Sequence, residues 1–281
     1  MTPFKVAIVG SGPSGFYAAE ALFRSQYDVS VDMFERLPTP FGLLRGGVAP
    51  DHQQMKSVSK AYSKIAENEK FRFYGNIQIG DDISIEELTD RYHAVVLAYG
   101  AETDKQLGIP GEELSRSHTA TEFVGWYNGH PDYQDREFDL SQERIAIIGQ
   151  GNVAIDVTRI LAKTVEELSQ SDISQHALDC LSKSKVREIY LIGRRGPAQA
   201  AFTELEIKEL GALSDADCTV DASFMRLSDT DQLEVADNSK VRKNVAVLES
   251  YTQVVGTKNK QIKLLFLRSP VEILGDESVS G

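Results

Sequence analysis

Lys5 to Glu35 reads KVAIVGSGPSGFYAAEALFRSQYDVSVDMFE, and few backbone arrangements satisfy it. The apolar run Val6–Val9 predicts a strand. The turn Gly10-Ser11-Gly12-Pro13-Ser14-Gly15 follows, then a helix with Ala18, Ala19, Ala21 and Leu22 on its inner side. A second strand over Val29–Phe34 ends on the carboxylate of Glu35. Strand, glycines, helix, strand and acid in this register make the βαβ unit that cradles a dinucleotide. Gly10 permits the tight turn, Gly12 lets a pyrophosphate approach bare backbone, and Gly15 lets helix and strand pack closely. The helix start turns unpaired N–H groups and a partial positive charge toward the phosphates. Glu35 lies 25 residues after Gly10 (35 − 10). There it accepts hydrogen bonds from ribose hydroxyls and repels a 2′-phosphate. This first site suits FAD or NAD and rejects NADP.

The pattern restarts at Arg144. Ile145–Ile148 predicts a strand, and Gly149-Gln150-Gly151-Asn152-Val153-Ala154 is a second fingerprint of GxGxxA form. It opens a helix with Val153, Val157, Ile160 and Leu161 inside. A solvated helical run over 163–185 delays the partner strand, Glu188–Ile192, which ends in Gly193-Arg194-Arg195-Gly196-Pro197. Two guanidiniums stand where the first unit has its acid, and guanidiniums fork onto phosphate. The second site therefore prefers NADP over NAD. An α/β protein of two Rossmann-like dinucleotide-binding domains is expected, with residues 1–103 for FAD and 104–281 for NADP. Parallel sheets with flanking helices and antiparallel strands are anticipated. Two sites of opposite preference imply a bound flavin that takes hydride from an exchangeable cofactor and passes electrons singly to a partner.

Length agrees with two domains, and a hydrophobic content of 41% is ample for their cores. The net charge of −12 argues against nucleic acid and an anionic membrane surface as partners. No apolar run reaches the roughly 18 residues of a membrane span. The first strand begins too near Met1 for a signal peptide. Cys180 and Cys218 form no CxxC, which excludes a dithiol centre, a zinc ribbon and an iron–sulfur ligand set. No metal is expected, and a reducing cytoplasm fits.

Between the fingerprints, Leu37 to His52 is dense in proline and glycine, an ordered loop where ligands sit in parallel α/β sheets. Asp51 caps a helix with Met55, Val58, Tyr62 and Ile65 on one face and His52 in its first turn. Lys56, Lys60 and Lys64 make a basic stripe on it, either a solvated face or a docking patch. Phe71–Ile79 and Ala94–Ala98 read as strands, Ile85–Leu88 as a short helix, and Leu107–Gly111 as a domain exit. Trp126 and His130 fall in a segment read as packing. Thr203 and Glu206 match a T-x-x-E capping box, so Glu206 is either half of a cap or a ligand contact. The run from 215 to 243 reads as loops and a surface helix. Val245–Val255 and Gln261–Arg268 read as two antiparallel strands. The last residues read as a hairpin turn without a return strand, the mark of a truncated chain.

The runs LPTPFGLLRGGVAPDH, GQGNVAIDVTRIL and GRRGPAQAAFTELEIKEL, in this order, resemble the adrenodoxin-reductase type of ferredoxin–NADP reductase, bacterial members in particular. The resemblance covers essentially the whole chain. Glutamate synthase small subunits and thioredoxin reductases share the two-dinucleotide architecture but lack the Pro50-Asp51-His52 loop in this form, and thioredoxin reductases carry a CxxC. The resemblance implies an FAD-dependent oxidoreductase passing electrons from NADPH to ferredoxin or a similar small iron–sulfur protein. It implies FAD contacts at Ser14, Glu35, Leu43 and Ile79. It implies NADP contacts at Gln150, Gly151, Asn152, Val153, Arg194, Arg195 and Glu206. His52, Asp156 and Glu209 fall near the flavin–nicotinamide junction as catalytic candidates. Each has a plainer alternative: a loop histidine, an i,i+3 partner of Arg159, and a solvated helix charge. The family also closes its FAD site with a C-terminal segment bearing a tryptophan and a glycine-rich turn, which is missing here. Alternative readings are an electron-feeding subunit of a synthase, as in glutamate synthase, and a non-catalytic NADP-binding fragment.

Overall fold

The computed structural model describes residues 3–101 and 104–280. The chain divides into two compact units, residues 1–103 and 104–281, and the expected boundary at 103 itself lies outside the described residues. In the first unit the order is β1 (Phe4–Val9), α1 (Pro13–Phe23), β2 (Val29–Phe34), α2 (Leu43–Gly46), α3 (Gln53–Lys56), α4 (Ser59–Ala66), β3 (Phe71–Tyr74), α5 (Ile85–Arg91) and β4 (Ala94–Leu97). The sheet runs β3-β2-β1-β4, with all pairings parallel.

Alternation along the strands sorts two cores. Val6, Ile8, Val31 and Met33 pack with Phe16, Ala19 and Tyr62. Ala7, Val9 and Phe34 pack with Leu88. Apolar residues on both faces are what a covered parallel strand requires. The buried carboxylate of Asp32 in β2 is satisfied by Arg72 at 2.7 and 2.9 Å and by the Tyr92 hydroxyl at 2.6 Å.

Two elements differ from expectation. The helix expected after Asp51 is interrupted between Lys56 and Ser59. The Ser57 hydroxyl bonds back to the Gln54 carbonyl at 2.6 Å, and the backbone tightens to i→i+3 bonds there. The strand expected to reach Ile79 stops at Tyr74, because Asn76 turns left-handed at φ 57°.

The second unit contains α6 (Ala120–Tyr127), β5 (Arg144–Ile148), α7 (Asn152–Ala162), α8 (Val165–Ser169), α9 (Gln175–Leu181), β6 (Glu188–Ile192), α10 (Glu204–Gly211), β7 (Ala216–Val220), α11 (Asp229–Asp237), α12 (Ser239–Tyr251) and β8 (Lys260–Leu265). Its sheet is also parallel, in the order β5-β6-β8-β7. Ile189, Leu191, Ile262, Leu264, Cys218 and Val220 are buried in one core with Ile155, Ile160 and Leu161 of α7. The reading of Trp126 as packing agrees with its burial in that core, whereas His130 is half-buried on the loop beyond.

The expected antiparallel strand over Val245–Val255 is instead the helix α12. Its β-branched content reads as a strand, yet Asn244, Val245, Leu248 and Tyr251 are buried at helical spacing. The Asn244 amide and the Tyr251 hydroxyl donate to the carbonyls of Phe202 and Ile207, at 2.8 and 2.7 Å. The stretch read as loops contains β7, whose Asp217 hides its strand character. That carboxylate accepts the N–H groups of Thr257 and Lys258 at 2.7 and 2.9 Å, fixing the turn that starts β8. The C-terminal turn forms an antiparallel bridge, Gly275 to Val279, and pairs with Ser115.

Candidate functional site

In the first unit the glycine turn joins the end of β1 to α1. Gly10 has φ +101°, and a Cβ there meets the Ala98 carbonyl oxygen at 2.5 Å. A Cβ on Gly15 meets the Gly10 carbonyl oxygen at 2.3 Å, so helix and turn touch only because it is absent. A Cβ on Gly12 meets nothing within 4 Å. The backbone at Gly12 therefore borders open space, the kind of approach that a pyrophosphate-binding turn needs. Ser14 is exposed in the first turn of α1.

Glu35, just beyond β2, turns back to this turn. It accepts the Ser11 N–H at 3.0 Å, the Ser11 hydroxyl at 2.6 Å and the Leu37 N–H at 3.1 Å. These bonds hold the carboxylate at the carboxyl end of the sheet with lone pairs to spare. The proline-rich loop closes on the same turn. The Phe41 N–H donates to the Ser11 carbonyl at 3.0 Å, and a Cβ on Gly42 would lie 2.8 Å from Gly12 Cα. Phe41 itself is left-handed at φ 94°, a region that disfavours an aromatic residue. Its ring lies 5.4 Å from that of Phe16 and 6.0 Å from that of Tyr62, contacts that hold it there. Beyond it, Leu43 at the start of α2 is left 72% exposed. Ile79 is half-buried against the smaller core. His52, rather than the expected Asp51, is the N-cap of α3, with φ −91° and ψ 59° and no side-chain capping bond.

In the second unit, Gly149, at φ +134°, and Gly151, whose Cβ would meet nothing within 4 Å, repeat the open cradle. The Gln150 side chain turns inward instead. It donates to the Leu265 carbonyl at 3.0 Å and occupies the space a Cβ on Gly193 would need. Asn152 accepts the Thr203 N–H at 2.9 Å, tying α7 to α10, and Val153 is 52% exposed. Arg194 and Arg195 follow β6, are exposed, and have no acidic partner among the described residues. They line a cavity of about 440 Å³ with the glycine turn, Ile148, Ile192, Leu107, Ile109 and Arg268.

A second cluster lies on α7 and α10. Arg159 is 1% exposed, and its guanidinium gathers Asp156 at 2.7 Å, Glu206 at 3.2 Å and Glu209 at 3.0 Å. Asp156 is thus the expected i,i+3 partner. The capping box at Thr203 is only half formed: its hydroxyl accepts the Glu206 N–H at 3.4 Å, while the Glu206 carboxylate turns to Arg159. Glu209, although 43% exposed along its side chain, is held by the same arginine. Sequence reasoning gave Arg159 no role beyond pairing with Asp156 and missed Arg268 altogether. Four apolar neighbours disguise Arg159 as part of a core face. Arg268 joins the crevice only because β8 lies beside β6.

Among the described residues, no helix is long and apolar enough to cross a membrane. Residues 4–191 match the family model described as pyridine nucleotide-disulphide oxidoreductase. The chain is 43% identical to the mitochondrial NADPH:adrenodoxin oxidoreductase of Arabidopsis thaliana, covering 99% of the chain and 59% of that relative. It is 46% identical to the NADPH-ferredoxin reductase FprA of Mycobacterium leprae, covering 98% of the chain and 61% of that relative. The solved structure of Mycobacterium tuberculosis FprA in complex with NADPH superposes with a TM-score of 0.94 at 44% identity, over 99% of this chain and 62% of that one. The chain spans about three-fifths of the length of these relatives.

Proposed function

The chain belongs to the pyridine nucleotide-disulphide oxidoreductase family, and from that premise we propose that it acts as an FAD-dependent NADPH:ferredoxin oxidoreductase. Electrons pass from NADPH to a small iron–sulfur protein. The observation that carries this reading is the contrast between the two strand ends: Glu35 beyond β2, Arg194 and Arg195 beyond β6.

In this reading the first unit holds FAD. The open space at Gly12 takes the pyrophosphate, the start of α1 with Ser14 faces the phosphates, and Glu35 accepts the ribose hydroxyls. Leu43 and Ile79 offer apolar contact. Bound FAD would supply the step from hydride chemistry to single-electron transfer. The second unit holds NADPH on Gly151, Asn152, Val153 and the backbone of Gln150, with Arg194 and Arg195 forked onto the 2′-phosphate. His52, Asp156 and Glu209 are assigned to the flavin–nicotinamide junction. In support, Arg159 gives Asp156, Glu206 and Glu209 fixed orientations, as a positioned carboxylate requires. A cytoplasmic setting completes the proposal, supported by the unpaired thiols of Cys180 and Cys218. In this reading the partner accepts single electrons, so the assay includes a small iron–sulfur protein.

Steady-state reduction of such a protein with NADPH and NADH tests this. Replacing both arginines, R194Q with R195Q, should raise the KM for NADPH by about 100-fold, two charged hydrogen bonds' worth, and change that for NADH less than about threefold. Equal use of the two cofactors by the unaltered protein would overturn the proposal.

A further inference from the structure

Arg268 stands one residue beyond a left-handed Leu267, at φ 54°, past the end of β8. Backbone bonds lock this segment to the one that carries Arg194 and Arg195. The Gly193 N–H donates to the Leu265 carbonyl at 2.9 Å, the Leu267 N–H to the Arg195 carbonyl at 3.1 Å, and the Arg268 N–H to the Gly193 carbonyl at 3.0 Å. The two strand ends therefore deliver three arginines to one cavity.

The third guanidinium is pre-oriented. It lies 5.5 Å from the centre of the Phe224 ring and donates one N–H to the Leu267 carbonyl at 3.2 Å. A guanidinium has five donors, so most of its hydrogen-bonding capacity is unused. No aspartate or glutamate lines the cavity, and none pairs with these three arginines among the described residues. Three uncompensated cations in a chain of net charge −12 are a local exception. A phosphomonoester, at about −1.5 to −2 near neutral pH, is the ligand that balances them.

We propose that Arg268 is a specificity-determining residue, a third cation that reads the 2′-phosphate of the dinucleotide alongside Arg194 and Arg195. This rests on the assignment of the second unit to NADPH. The residue lies just past the end of β8, outside the βαβ unit that carries the fingerprint. Discrimination between the two nicotinamide dinucleotides thus depends on a strand 70 or so residues downstream, brought alongside by the sheet order.

Calorimetric titration of the full chain with adenosine 2′,5′-bisphosphate and with 5′-ADP tests it, using R268Q, R268K and R194Q. R268Q should weaken the bisphosphate about tenfold and 5′-ADP less than about twofold, with R268K between wild type and R268Q. Unchanged bisphosphate binding in R268Q, alongside a loss in R194Q, would overturn the role of Arg268 and leave the NADPH assignment standing. Equal weakening of both ligands by R268Q would also overturn it, since the arginine would then read the adenine or the 5′-phosphate. Failure of the unaltered chain to bind the bisphosphate more tightly than 5′-ADP would overturn the NADPH assignment and this inference together. Arg268 is exposed, so R268Q should leave the melting curve unchanged, and a loss of binding then reports the site rather than the fold.

Discussion

Arg159 is the residue on which most of the second unit's carboxylate chemistry turns. One guanidinium buried to 1% exposure faces three acids, of which Asp156 and Glu206 have side chains only 13% and 9% exposed. Its removal takes from those largely buried charges the cation that gathers them. Arg159→Met, which keeps the volume, should cost about 3–5 kcal/mol in a urea titration, far above the effect of losing a surface pair. A cost under about 1 kcal/mol would mean that the acids find other partners. At the same scale, the glycines divide by what their missing Cβ would meet. A Cβ on Gly10 or Gly15 would meet protein atoms, whereas one on Gly12 or Gly151 would enter open space. Identity alone shows all four; the division between them is visible only in three dimensions.

Elements that sequence patterns identify are those with local signals. Both glycine turns, α1, α7 and the strands β1, β2, β5 and β6 lie where the fingerprints put them. The elements misread are those whose signals conflict. In α12, β-branched residues compete with helical burial, and burial wins because the tertiary core supplies the larger energy. In β7, Asp217 breaks the apolar pattern because it binds the turn before β8. Burial works to raise the Asp217 carboxyl, but the N–H groups of Lys258 and Thr257 and the Lys258 ammonium outweigh it, so its pKa is held below the usual value. A carboxylate depressed on folding contributes stability above its unfolded value, about 3.9, and loses it as pH falls through the folded one. Asp217→Asn should therefore destabilise by about 1–3 kcal/mol at pH 7 and flatten the acid limb below about pH 4. Denaturant midpoints at pH 7 and pH 3 check this; parallel pH profiles for both proteins would refute it.

At the level of the whole molecule, each unit has its own parallel sheet and its own core. The cavity with three arginines is lined wholly by residues of the second unit. Residues 104–280 expressed alone should therefore fold cooperatively and bind adenosine 2′,5′-bisphosphate within about threefold of the full chain. A loss of more than about tenfold would show that nucleotide binding draws on the first unit.

Local chemistry along the chain was enough to specify two βαβ folds with glycine turns and the opposite charges at their strand ends. A glycine turn, a capped helix and the charge at a strand end act over a few residues, and their physics needs no distant partner. Neighbours far apart in sequence were settled by packing. The order β5-β6-β8-β7 sets Arg268 beside Arg194, and the facing of α7 and α10 gathers Asp156, Glu206 and Glu209 onto Arg159. Such contacts depend on which surfaces bury against each other, and no local pattern encodes that choice.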